Sequence, residues 1–147
     1  MGVWDWTLGA YGRAGVPEAC LELQDAHGQM SSFLLWAVWA ETADAALLAR
    51  AAELARRWDS LALRPVRDVR RALKAPFEGV SDPAREGLRD DVKAAELRAE
   101  RVLMESLGAM TRGRGGAPAL AALKAASAAW GTPAPEGLLA ELAAALS

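Results

Sequence analysis

The chain has 147 residues, 52% apolar and 24% charged, with a formal net charge of −2. That length suits one domain burying about 68–70% of its unfolded surface, so no disulfide or metal staple is required. The acidic balance excludes whole-surface attraction to nucleic acid or anionic membranes, and a single cysteine excludes an internal disulfide and fits a reducing compartment. No basic stretch followed by an apolar core and a small-residue cleavage site opens the chain, so the expected location is cytoplasmic. Heavy use of Ala and Arg over Ile and Lys points to a GC-rich bacterial source.

Strand signals are nearly absent, and helix signals run the length of the chain. Trp4, Leu8 and Tyr11, spaced four and three apart, predict the inner face of a first helix that stops at Gly12 and Gly15. Val16-Pro17 opens a second, proline being tolerated in a first turn where its missing N–H has no partner anyway. Ala19, Cys20, Leu23 and Ala26 face inward, and Gly28 ends that helix. Ser31 or Ser32 is the expected cap of a third helix, the run Phe33–Ala40, apolar on every side. Eight residues fall well short of the roughly 20 needed to cross a bilayer, so this run marks the core.

Thr42 or Asp44 caps a fourth helix to about Trp58, with Leu47, Leu48, Ala51, Leu54, Ala55 and Trp58 inward. Pro65 opens a short fifth helix to about Lys74, apolar at Val66, Val69 and Leu73 and basic at Arg67, Arg71 and Lys74. Ser81-Asp82-Pro83 starts the longest helix, to about Met110, with Leu88, Val92, Ala95, Ala99, Val102, Leu103, Leu107 and Met110 as its inner stripe. Arg112-Gly113-Arg114-Gly115-Gly116 breaks the pattern and is expected to be a hinge. Two Ala/Leu-rich helices follow, about 118–130 and 135–146. The expectation is a single all-α domain over 1–147. It is a compact bundle of seven to eight helices around Phe33–Ala40, without a sheet. Residues 1–110 form its main part and 111–147 a C-terminal extension after the Gly-rich hinge.

The segment from Trp4 to Ala40 carries W-D-W, then G-V-x-x-A-C-L-x-L-Q-D-x-x-G, then the apolar helix with Trp36 and Trp39. With Arg64–Lys74 and Ala95–Arg101, it resembles a bacterial family known as domain of unknown function 2390, over roughly Val3 to Leu107. Leu21–Asp25 and Gly28 carry most of the specificity. The resemblance implies a small helical cytoplasmic protein and transfers no catalytic residues. Where relatives have Asp-Val-Asn before the apolar helix, this chain has Met30-Ser31-Ser32, and serine serves equally well as an N-cap.

Several constellations hold residue types that can carry chemistry. Cys20 and His27 lie seven residues apart on one helix, about 10.5 Å along its axis, too far for a nucleophile–base pair. Cys20 reads as a small core residue and His27 as a C-terminal helix residue favoured by the macrodipole. One histidine excludes the paired Glu-x-x-His pattern of bundle di-iron sites. Glu18, Glu22, Glu96 and Glu100 leave an all-carboxylate metal site or enzyme as a third reading. No Ser/His/Asp set, phosphate loop, dinucleotide fingerprint or Cys-x-x-Cys is present, so no catalytic residue, cofactor or metal ligand is assigned.

The charges are segregated. Residues 1–49 carry a balance of −5 and residues 56–74 a balance of +5, so the two can satisfy one another. The densest basic stretch, Arg64, Arg67, Arg70, Arg71 and Lys74, is the first candidate for binding an anion or an acidic partner. No aromatics interleave these cations, which argues against nucleic acid. Trp4 and Trp6 cannot share a helix face, so one of them is a candidate pocket residue. The leading expectation is therefore a non-enzymatic interaction or adaptor protein using the basic face, with a protein partner or self-association and no membrane. The alternative is a binder of small anionic metabolites with a Trp/Arg-lined pocket.

Overall fold

A computed structural model describes residues 1–147. It is all helical, with eight α-helical segments and no strand. They are α1 (Val3–Tyr11), α2 (Val16–His27), α3 (Ser31–Trp39), α4 (Ala45–Trp58), α5 (Arg64–Ala72), α6 (Asp82–Ala109), α7 (Ala119–Trp130) and α8 (Glu136–Ala145). A π-helical turn, Asp59–Leu63, joins α4 to α5 without a break. The chain divides into two units, one of Met1–Leu54 with Met104–Ser147, the other of Ala55–Leu103.

In the first unit α3 is the centre. Phe33, Leu34, Leu35, Trp36 and Ala37 are all fully buried, as a helix apolar on every side requires. Helices α1, α2 and α7 pack against it, and α8 packs on α7 and α2. The rings of Phe33, Trp36 and Trp130 stack in a tilted series with centroids 5.8 and 5.5 Å apart. Trp130 Nε1 donates to the Gly28 carbonyl at 2.9 Å, and Gln29 Nε2 donates to the Thr132 carbonyl at 2.9 Å. Gly28 lies in the left-handed region at φ 63°, where it closes α2 as expected from its position.

Three local expectations are corrected here. The inner face of α1 is Val3, Thr7 and Ala10, not Trp4, Leu8 and Tyr11. The helix is rotated by one residue because it lies close to the end of α6. A Cβ on Gly108 would come within 3.0 Å of Val3 Cγ1, so only small side chains fit that contact. Ala26 of α2 is exposed. Neither Ser31 nor Ser32 caps α3, since Met30 holds the N-cap position and the helix has no side-chain cap. Ser31 is inside the helix and its hydroxyl donates to the Cys20 carbonyl at 3.3 Å, tying α3 to α2. Asp44 does cap α4, accepting from the Ala46 N–H at 3.0 Å.

The Gly-rich segment is tied down within the first unit. Gly115 and Ala117 donate their N–H groups to the Ala40 and Glu41 carbonyls at 3.0 and 2.9 Å. Arg114 forms an ion pair with Glu41 at 3.3 Å. A Cβ at Gly115 would meet the Glu41 carbonyl oxygen at 2.5 Å, so this approach requires glycine.

The second unit consists of the end of α4, the π turn, α5 and the first part of α6. Pro65 stands in the first turn of α5, as the sequence predicts, although the helical backbone runs into it from α4 through the π turn. Proline has no N–H, and its ring crowds the carbonyl four residues back. The widened turn accommodates it, and Arg64 N–H reaches the Asp59 carbonyl five residues back. The inner stripe of α6 is also corrected in this unit. Leu88, Ala95 and Val102 are exposed, whereas Arg85, Glu96, Ala99 and Leu103 are buried. Ala99 and Leu103 lie inward as their spacing predicts, and the two unexpected buried positions, Arg85 and Glu96, are charged because they form ion pairs.

Candidate functional site

Helix α5 carries the candidate basic stretch, and the structure sorts it into two sets. Arg67 and Arg70 turn inward and are half-buried. Arg67 Nε donates to Glu96 Oε1 at 3.2 Å, and its Nη2 lies 4.0 Å from Glu100 Oε1. Arg70 Nε donates to Glu96 Oε2, so the buried Glu96 carboxylate is held by two guanidinium groups. Arg89 adds a bond from its Nε to the Arg70 carbonyl at 3.4 Å, and Arg85 Nε donates to the Leu73 carbonyl at 3.1 Å. Arg64, Arg71 and Lys74 are exposed, with Arg64 paired to Asp59 at 2.8 Å. Arg67 and Arg70 thus find their partners on α6.

The two glutamates titrate in opposite directions. Burial alone would raise Glu96, but the hydrogen bonds and charges of Arg70 and Arg67 outweigh it and hold the carboxyl below its usual value. Burial raises Glu100, the neighbouring Glu96 charge raises it further, and Arg67 and Arg70 offset only part of this. One carboxylate is thus the anchor of the arginine pair, and the next on the same helix face is the less favoured anion.

An apolar groove of about 340 Å³ lies beside this network, lined by Leu73, Phe77, Val80, Ala84 and Leu88. Phe77 is 70% exposed and Leu88 52%, an unusual gathering of open apolar side chains on one short stretch. Val69 on α5 is 49% exposed, although its spacing had predicted an inward position.

A second cleft, of about 550 Å³, belongs to the first unit. Leu47 and Arg50 of α4 form one side, and Met110, Arg112 and Arg114 following α6 form the other. Sequence reasoning missed it. Arg112 and Arg114 were visible only as part of a break, and Arg50 lies 62 residues away on the exposed side of α4. Trp4 and Trp6, the candidate pocket tryptophans, are both half-buried on α1 and line neither cleft.

Cys20 is buried, and burial pushes its thiol up to about 11 despite the Ser31 and Tyr11 hydroxyls beside it. It is therefore no nucleophile at neutral pH. Glu18 and Glu22 are exposed on α2, and no group of three or more His, Cys, Asp or Glu side chains gathers where it could hold a metal ion. No helix is long and apolar enough to cross a membrane.

Residues 2–107 match a family model described as protein of unknown function (DUF2390). The chain belongs to that family. The match covers α1 to nearly the end of α6, including Gly28, the arginine pair and Glu96. Helices α7 and α8 lie beyond the matched residues. Comparison with curated proteins and with solved structures finds no match.

Proposed function

We propose that this chain is a non-enzymatic protein-interaction module of the bacterial cytoplasm. Its binding surface is the outward face of α5 together with the adjoining apolar groove. The observation that carries this reading is the exposure of Phe77, Val80 and Leu88 around one groove, beside the outward cations Arg71 and Lys74. Contiguous apolar surface of this kind marks sites of protein contact. The partner that fits is an acidic amphipathic helix, its apolar face in the groove and its carboxylates toward Arg71 and Lys74. Arg67 and Arg70 support the surface from beneath by holding α5 to Glu96.

The test is affinity purification from the native host with the wild type, Phe77→Asp and the double variant Arg71→Glu/Lys74→Glu. Both variants should lose the captured partner and keep the wild-type melting temperature. Capture that survives in both removes this reading. Sedimentation of the purified chain separates a second copy from a different protein as the occupant.

A further inference from the structure

We propose that the cleft between Arg50, Arg112 and Arg114 binds a small organic phosphomonoester. This site is independent of the interaction surface above. Three arginines line a cleft of about 550 Å³, within the range of roughly 300–1,000 Å³ usual for small-molecule sites. Only Arg114 is neutralised, by Glu41 at 3.3 Å. Arg50 and Arg112 take part in no ion pair and no side-chain hydrogen bond. The one acid lining the cleft, Asp44, accepts the Ala46 N–H as a helix cap. Three arginines against the carboxylates of Glu41 and Asp44 leave the cleft net positive, which suits an anionic ligand, and a phosphomonoester carries roughly −1.5 to −2 near neutral pH. Planar guanidinium forks match phosphate oxygens in pairs.

The cleft is also larger than a bare phosphate requires. Leu47, Ala109 and Met110 supply apolar wall on which the organic part of such a ligand can rest. The backbone that carries Arg112 and Arg114 is held in place before a ligand arrives. Gly115 and Ala117 pin the loop to the Ala40 and Glu41 carbonyls, and the close approach at Gly115 leaves that loop no room to slide. Pre-organisation of this sort lowers the ordering cost of binding.

Titration calorimetry on the full chain, in low-salt buffer free of phosphate, tests the assignment with phenyl phosphate, inorganic phosphate and phenol. Phenyl phosphate should bind more tightly than inorganic phosphate, and phenol should not bind. Loss of one charge-assisted contact is worth about 10- to 100-fold in affinity, so Arg50→Ala and Arg112→Ala should each weaken phenyl phosphate by about that factor. Neither arginine has a partner in the fold, so both variants should melt at the wild-type temperature. Absence of wild-type binding at about 1 mM phenyl phosphate overturns the proposal. Binding that both variants retain also overturns it, because the anion then sits elsewhere. Equal affinity for inorganic and phenyl phosphate rejects the organic ligand.

Discussion

Glu96 and Glu100 lie one turn apart on α6 and have opposite effects on stability. Glu96 has its folded-state pKa lowered, so it stabilises the fold above the ordinary carboxylate range, and that stability is lost as pH falls through its folded value. Glu100 has its folded-state pKa raised, so its favourable contribution exists below the ordinary range and is lost as pH rises through the raised value. At neutral pH Glu96→Gln should therefore lower stability by about 1–3 kcal/mol, since Arg67 and Arg70 lose their shared anion. Glu100→Gln should raise the melting temperature at neutral pH. Melting curves across the acid range should show both differences shrinking as the wild-type carboxyls protonate. The role of Glu96 could not be read from spacing. On a helix with alternating charges it looks like a solvated acid, and only the packing of α5 opposite makes it a buried anchor.

Among the elements, the segment between α6 and α7 departs furthest from its sequence reading. Five residues containing three glycines look like a hinge, yet the Gly115 N–H, the N–H of the adjoining Ala117 and the Arg114 ion pair hold the segment to the turn after α3. Gly115→Ala should cost about 1–3 kcal/mol, because the new methyl group collides with the Glu41 carbonyl and the backbone must move. Gly87→Ala is the matched control. Gly87 lies within α6 with nothing near its missing Cβ, so the change should stabilise by about 0.5–1 kcal/mol. Urea denaturation of the two variants gives both signs directly. The connection of α4 to α5 follows similar logic. Pro65 signals a helix start and does lie in the first turn of α5, but a π turn joins that helix to α4 where the sequence suggests a break.

At the scale of the molecule, helices outside the family match complete the first unit. Helix α7 packs on α3, Trp130 stacks on Phe33, and α8 covers α7 and α2. Arg13 of the α1–α2 turn donates to the Leu146 carbonyl, joining the two ends of the sequence. A chain ending after Met110 should lose its cooperative thermal transition and bind hydrophobic dyes, because the Phe33 side of α3 is laid open. Calorimetry of that truncation against the full chain checks this outcome. Retention of a sharp transition would show that residues 1–110 bury α3 unaided.

The helical class, most helix ends and the identity of the central helix are legible in the amino-acid sequence. These depend on local physics: glycine at a left-handed position, proline in a first turn, an aspartate cap, and an apolar run too long to be exposed and too short to span a membrane. The use of the charges is set by packing alone. Whether an arginine is a strut or an open binding group depends on what lies across from it. Arg67 and Arg70 face Glu96, whereas Arg50 and Arg112 face an open cleft, and residues so distant in sequence leave no periodic signal of their meeting. Hydrophobic periodicity finds Ala99, Leu103 and Leu107 on the buried side of α6 but misses Arg85 and Glu96, because those two positions are buried by ionic pairing.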